Sequence, residues 1–389
     1  MIGEILTSYS ATHFYYTDKY FCTYYTWDRV NKRVVNSKKG HVRGVRCTAV
    51  LHFAYVAAQF CAIAVNSSHP LMERWTGALI ALTYLFELGF RAEWNADPRV
   101  LELVNGVLQS YRRHQDGNEN LPPKQKTTWR LLSTLCSVTS SGYLLYPIAL
   151  GTLLVFIPCQ FPFLESFFLP NDLCTFSPNH LSDCKSLYLI VARLTLIVAD
   201  AFILGHVYAI GVTYILVVLL TGILFLWENS CCTFTQKNAD LNSYRRLQVL
   251  ESVLNSCTRH RIFPIVALGF PTVQILDVFL LIRYHEGMNY SLLFMLIVQY
   301  SQCFVCSSML FIFAGKVYTN SVTWLGKRKR VVAKMERGGS NVERKVERKF
   351  LRSLAPLKLW FGSNFMDTLT PLVIEQFCIL QTINLLLLQ

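Results

Sequence analysis

The chain has 389 residues, of which 52% are hydrophobic, 13% aromatic and only 16% charged, with a mean hydropathy of +0.33. Soluble domains carry about 25% charge, so there are too few polar side chains here to cover a globule, which excludes a disordered chain, a secreted disulfide scaffold and an ordinary cytosolic enzyme. An oily chain that still holds 37 Lys+Arg against 24 Asp+Glu, net +13, reads as a multi-pass membrane protein with its positive charge gathered on one side.

A spanning helix needs roughly 20 apolar residues, because about 30 Å of hydrocarbon is crossed at 1.5 Å per residue. Residues 1–44 are aromatic but interrupted by Asp18, Lys19, Asp28, Arg29, Lys32, Arg33, Lys38, Lys39 and Arg43. They are expected to form a cytoplasmic N-terminal tail, and no short apolar signal segment follows Met1. Residues 45–315 are expected to hold six transmembrane helices. The first span is 45–65 and the second 71–90; a polar stretch, 91–128, leads to the third, 129–157. A wetter segment with Pro158, Pro162, Pro170 and Pro178 follows. The apolar run 187–227 is either one long helix projecting beyond the bilayer or two spans joined by a tight turn. Beyond the polar, basic stretch 229–261 come spans at 262–283 and 290–314, then a basic segment, 316–366, and a final span, 367–389. Counting 187–227 once gives seven spans.

Orientation follows from Lys and Arg near the span ends, which stay cytoplasmic. Eight lie at the N-terminal end, up to Arg46, and 316–366 alone carries thirteen Lys+Arg against three Glu. With seven spans these segments share one side, so the N-terminus is expected inside and the C-terminus outside. Both N-x-[ST] acceptors, Asn66 and Asn289, then fall outside, which marks them as candidate glycosylation sites. Cys159, Cys174 and Cys184 fall in the outer segment, where three thiols cannot all pair; Cys174–Cys184 is the expected disulfide.

This topology is not that of a G-protein-coupled receptor, whose N-terminus is outside. Asp28-Arg29-Val30 sits in the tail, and the last span has no Asn-Pro-x-x-Tyr. The nine His are scattered, with no His-x-x-x-His, paired Asp or Gly-rich phosphate loop, so no catalytic residue, metal ligand or cofactor is expected. No internal repeat of the transporter kind is visible. A channel or a receptor remains.

The last span begins Thr370-Pro371, a good helix start. At about 100° per residue, Glu375, Thr382, Leu386 and Gln389 share one stripe, which suits a pore lining of hydrated ends and a dewetting constriction. The alternative is that these groups hydrogen-bond to neighbouring helices.

Here the sequence resembles the insect gustatory receptors, relatives of the insect odorant receptors. The last helix of that family carries Thr-Tyr, five hydrophobic residues, then Gln-Phe. Thr382, Ile383, Asn384 to Leu388 and Gln389 reproduce the frame, with Ile for Tyr, Asn384 within the hydrophobic run and the Phe position lying beyond Gln389. Leu351-Arg352-Ser353-Leu354-Ala355-Pro356-Leu357, Gly362-Ser363-Asn364-Phe365 and Leu369-Thr370-Pro371-Leu372 also look like that family. The match covers roughly the last 40 residues; elsewhere only length, span count and inverted topology agree. The resemblance implies a ligand-gated, non-selective cation channel that opens on binding a small-molecule tastant in the plasma membrane of a gustatory neuron's dendrite. It implies a homo- or heterotetramer around the last helices, with Leu386 at the gate and Gln389 near the outer pore. The first six helices would form the ligand pocket and the cytoplasmic segment before the last helix the inter-subunit anchor. A heptahelical receptor signalling through a partner protein, and a multi-pass transporter, are the alternatives.

Ionisable groups at membrane depth are expensive, which singles out Glu87, Arg193, Asp200, His206 and Asp277; Arg193 and Asp200, seven apart, share a helical face and suggest an intrahelical bridge. Tyr84, Tyr143, Tyr146, His206, Tyr208, Gln299 and Tyr300 are candidate pocket linings, alongside the alternative of ordinary packing. The basic run at 327–352 contains Val342, Val346, Phe350 and Leu354 at four-residue steps, an apolar stripe that fits a packed cytoplasmic helix better than nucleic acid, which is not an expected partner. The thirteen cysteines present no metal-site pattern, and Cys231-Cys232 lies where acylation occurs.

Overall fold

The computed structural model describes residues 2–65, 69–116, 123–157, 159–169, 184–235, 241–334 and 341–388. Within them the chain is all-α apart from two small hairpins. Helix α1 (Ile2–Lys19) is followed by an antiparallel hairpin of β1 (Tyr25–Asp28) and β2 (Arg33–Asn36), with Tyr25 opposite Asn36. Asp28 closes this hairpin by accepting bonds from the amides of Val30 (3.0 Å) and Asn31 (3.1 Å), so the Asp28-Arg29-Val30 triplet is a turn. The segment expected as a tail is therefore folded: Tyr9 and Phe14 are buried, and α1 packs on the third span.

The membrane helices follow in order: α2 (Lys39–Val65), α3 (Leu71–Phe90), the inner helix α4 (Pro98–Asp116), α5 (Pro123–Phe156) and the outer one-turn helix α6 (Leu164–Phe168). Next comes α7 (Cys184–Gly211), which continues through a π-helical stretch, Val212–Leu220, into α8 (Thr221–Thr235). The long apolar run is thus one helix projecting beyond the bilayer. Further on, α9 (Leu241–Cys257) joins α10 (Phe263–Tyr284) through a π turn, and α11 (Tyr290–Lys334) carries the sixth span well past its apolar end at 314. At 45 residues α11 is about 68 Å long, more than twice the hydrocarbon thickness. Helix α12 (Asn341–Ser353), the hairpin β3 (Trp360–Phe361) and β4 (Asn364–Phe365), and α13 (Thr370–Leu387) complete the chain.

Among the described residues, six helical stretches are long and apolar enough to cross a membrane: Lys39–Val65, Ser133–Phe156, Tyr188–Phe234, Leu241–Gly287, Tyr290–Ala333 and Thr370–Leu387. The seventh apolar helix, α3, carries Glu73, Arg74 and Glu87. Their surface is inverted relative to a soluble protein. Phe53, Ile148 and Val198 stand more than 60% exposed, while His52, Gln59, Asp200, His206 and Asp277 are buried. Lipid as the outer solvent accounts for both halves of that pattern.

Close helix approach depends on glycine at two places. A Cβ at Gly142 on α5 would meet the Tyr208 hydroxyl of α7, and one at Gly315 on α11 would meet the Asp367 carbonyl, backbone that cannot yield. The second contact seats the start of α13. Below the bilayer, the stretch from Leu354 to Met366 is tied to α9 and α11. Tyr244 donates to the Ala355 carbonyl (2.9 Å), the Leu357 amide to Ser321 (3.0 Å) and the Lys358 amide to Glu251 (2.9 Å). The four-step apolar stripe of α12 is buried only toward its end, at Leu354 beside Leu351. Val346 is exposed, and the surroundings of Val342 lie outside the described residues.

Candidate functional site

Three polar seams run through the bundle, and the expected pocket residues divide among them. The first joins α5 and α7. Tyr146 stacks on Tyr208 with ring centroids 4.8 Å apart, and Tyr143 meets Tyr208 edge-on at 5.4 Å. Tyr208 donates to the Thr139 carbonyl (3.0 Å), and Gln302 of α11 donates to the Tyr146 hydroxyl. Two residues of α1 close this cluster from below: Tyr16 stacks on Tyr143 at 5.0 Å, and His13 bonds Tyr143 and, at 2.9 Å, Thr213. The tail was read as separate from the bundle, so nothing in its sequence pointed to them.

The second seam lies between α2, α3 and α7 and brings Tyr84 and His206 together with Tyr55, His52 and Gln59. Tyr55 and Tyr84 have ring centroids 5.4 Å apart, and His52 meets Tyr84 at 6.2 Å. At one end Arg91 donates to the Val45 carbonyl and the Thr48 hydroxyl, both at 2.8 Å, and faces His206 Nδ1 at 3.5 Å. At the other, Asp200 accepts from Tyr55 (2.7 Å) and from the Leu164 amide (3.0 Å). The expected Arg193–Asp200 bridge does not form, because seven residues of helix separate the two by about 10 Å. Arg193 instead pairs with buried Glu165 (3.1 Å) and donates to the carbonyls of Leu154 and Val155, fastening the outer segment to α5 and α7.

The third seam lies under α13. Gln274 donates to Ser307 (3.1 Å), and the Cys378 thiol faces Gln274 Oε1 at 3.6 Å. Buried Asp277 has neither carboxyl oxygen hydrogen-bonded. Of the remaining expected linings, Gln299 donates to Thr83 (3.0 Å) and Tyr300 lies 6.1 Å from Phe304 on its own helix, so neither joins the first two clusters.

The stripe expected to line a pore is rotated away from the open face of α13. Thr382 is buried and donates to the Cys378 carbonyl (2.9 Å), and Leu386 packs with Leu276, Phe279 and Leu280 of α10. Small residues at 378 and 382 allow that close approach, which is why the stripe turns inward. Glu375 is half-buried at the border. The open arc consists of Leu372, Val373, Gln376, Phe377, Ile379, Leu380, Ile383, Asn384, Leu387 and Leu388. Gln389 lies outside the described residues.

In the outer segment Cys159 is disulfide-bonded, whereas among the described residues Cys22, Cys47, Cys61, Cys136, Cys257, Cys303, Cys306 and Cys378 are outside any disulfide. The bond thus takes in Cys159, which corrects the expected Cys174–Cys184 pair; Cys174 lies outside the described residues. Cys303 and Cys306 form a single C-x-x-C step along α11, and no group of three metal-ligating side chains occurs among the described residues. Asn289 is exposed between α10 and α11, and Asn66 lies outside the described residues.

No family model and no curated protein sequence matches this chain. Among solved structures, the insect olfactory receptor OR5 from Machilis hrabei matches over 100% of this chain and 97% of its own, with a TM-score of 0.59 at 13% identity. The same receptor in complex with eugenol matches over the same shares with a TM-score of 0.50 at 11% identity. The chain therefore has the insect olfactory-receptor fold, a helical membrane architecture that is not that of a G-protein-coupled receptor.

Proposed function

We propose that the protein is an insect chemoreceptor of the gustatory type, a ligand-gated, non-selective cation channel that depolarises a sensory neuron when a tastant binds. The observation that carries this reading is the end-to-end likeness to an insect olfactory receptor, a structure also recorded with a small organic ligand bound. The gustatory side rests on the motif residues of the last helix. In this reading the N-terminus and the basic segment 316–366 are cytoplasmic, 45–315 is the ligand-binding bundle, and four copies, identical or mixed, surround a pore lined by α13 (367–389) in the dendritic plasma membrane. The open arc supplies polar Gln376 and Asn384, with Leu380 and Ile383 between them as a dewetting constriction. Glu375 sits at its border, and the family resemblance puts the position of Gln389 near the outer pore.

Expression in cultured cells with a tastant panel tests the proposal. The expected result is a ligand-evoked cation current whose ion preference changes in Gln389→Lys. A current abolished by G-protein blockade, or a glycosylated tag at the N-terminus, would overturn it.

A further inference from the structure

A cleft of about 470 Å³ opens between α1 and the β1–β2 hairpin, a volume that holds a small organic group. Its walls are Phe14, Tyr15 and Tyr16 of α1 and Trp27 of β1, and Asp18 and Arg29 complete the lining used here.

The cleft lies at the inner edge of the membrane. About 20 residues of α5 cross the hydrocarbon, so with Phe156 at the outer end the inner edge falls near Cys136. Helix α1 is fastened to α5 about one and two turns above that level. There Thr139 donates to the Tyr9 hydroxyl (3.2 Å), and Tyr16 stacks on Tyr143 at 5.0 Å. The hairpin is held just below, on the segment that follows the inner end of α3 at Phe90. Tyr24 donates to the Glu93 carbonyl (2.9 Å), and the Asp97 amide donates to the Tyr25 hydroxyl (3.0 Å). A helix sunk to that depth, with a polar wall beneath it, meets the bilayer where headgroups lie. Because α1 packs on α4, α5 and α7 while α13 packs on α10 and α11, the cleft is set apart from the helix read as pore lining.

The two charges of the cleft are opposite in sign. Arg29 makes no ion pair among the described residues; the hairpin arginine near Asp28 is Arg33, at 3.8 Å. Asp18 has His41 Nδ1 at 3.4 Å, but His41 gives its Nε2 proton to the Thr23 carbonyl (3.1 Å). Neutral His41 therefore presents Asp18 with a lone pair and no proton. Aromatic faces beside a carboxylate suit an ammonium group, and a guanidinium suits a phosphate. A purely anionic headgroup gains from Arg29 but is repelled by Asp18, so the lining favours a guest that carries both charges.

We propose that this cleft binds the zwitterionic headgroup of an inner-leaflet phospholipid, its ammonium against the aromatic wall and Asp18 and its phosphate on Arg29. A lipid held there fastens the folded N-terminal segment to the bundle at the bilayer surface. The site depends on the spanning helices, with the leaflet set by the inside N-terminus, and not on conduction.

The test titrates the full-length protein in maltoside micelles with short-chain phosphatidylethanolamine, phosphatidylcholine and phosphatidylglycerol, and with free phosphoethanolamine. Thermal stabilisation is the readout. The two zwitterionic lipids are expected to stabilise more than phosphatidylglycerol, which lacks the ammonium, and the free headgroup to do little. Arg29→Gln is expected to weaken binding of all three lipids about tenfold, the worth of one charge-assisted contact. Asp18→Asn is expected to weaken the zwitterionic lipids alone, and Arg33→Gln none of them. Asp18 and Arg29 are exposed, so neither variant is expected to melt lower than the parent without lipid. Equal stabilisation by all three lipids, the same effect in Arg33→Gln as in Arg29→Gln, or a free headgroup as effective as the lipids overturns the proposal. Stabilisation is read without current, so a protein that conducts nothing can bear out the lipid site while defeating the channel reading.

Discussion

Glu251 accepts bonds from the Lys358 amide (2.9 Å) and from Asn255 (3.3 Å), yet burial pushes its carboxyl up to about 7 from an ordinary value near 4.5. The unfolded chain therefore ionises this group first as pH rises, and the folded state progressively loses stability between about 4.5 and 7. Glu251→Gln keeps an acceptor for Lys358 without the charge. Its melting-temperature advantage over the parent should be small at pH 5 and widen up to pH 8; a constant difference would show that Glu251 is not the titrating group. Arg193 and Glu165 make a second residue-level case. Glu165 is fully buried, so Arg193→Met leaves an unpaired buried carboxylate and should cost about 3 kcal/mol, whereas Arg193→Met with Glu165→Gln should recover most of it. Melting curves of the three variants check this. From sequence, Arg193 was legible as a costly membrane residue but its partner was not, because Glu165 lies 28 positions away across a proline-containing segment.

At the scale of elements, the spans were legible because hydropathy and length dominate in lipid, and 71–90 coincides with α3. What was not legible was rotation. The lining stripe of α13 was placed on Glu375, Thr382 and Leu386 by polarity, but Cys378 and Thr382 are small enough to pack against α10, and that contact turns the stripe inward. Gly315 sets how α13 leaves the inner body. Gly315→Ala presses a methyl into the Asp367 backbone and should lower both the melting temperature and the maximal ligand-evoked current. If α13 is seated independently of that contact, both will match the parent, while Gly326→Ala, with open space around it, should be silent in either case.

For the molecule as a whole, the excess positive charge has a place in the sequence: thirteen Lys+Arg against three Glu lie in 316–366. The charge reads as a topology signal. The central claim is that the chain itself conducts when a ligand binds. The direct measurement is cation flux into liposomes containing only the purified protein, with and without a tastant that stabilises it, for the parent and Asn384→Lys. Ligand-dependent cation flux in the parent, reduced in Asn384→Lys while ligand-induced stabilisation is kept, is the predicted result. Ligand binding without any flux from the purified protein would contradict the account.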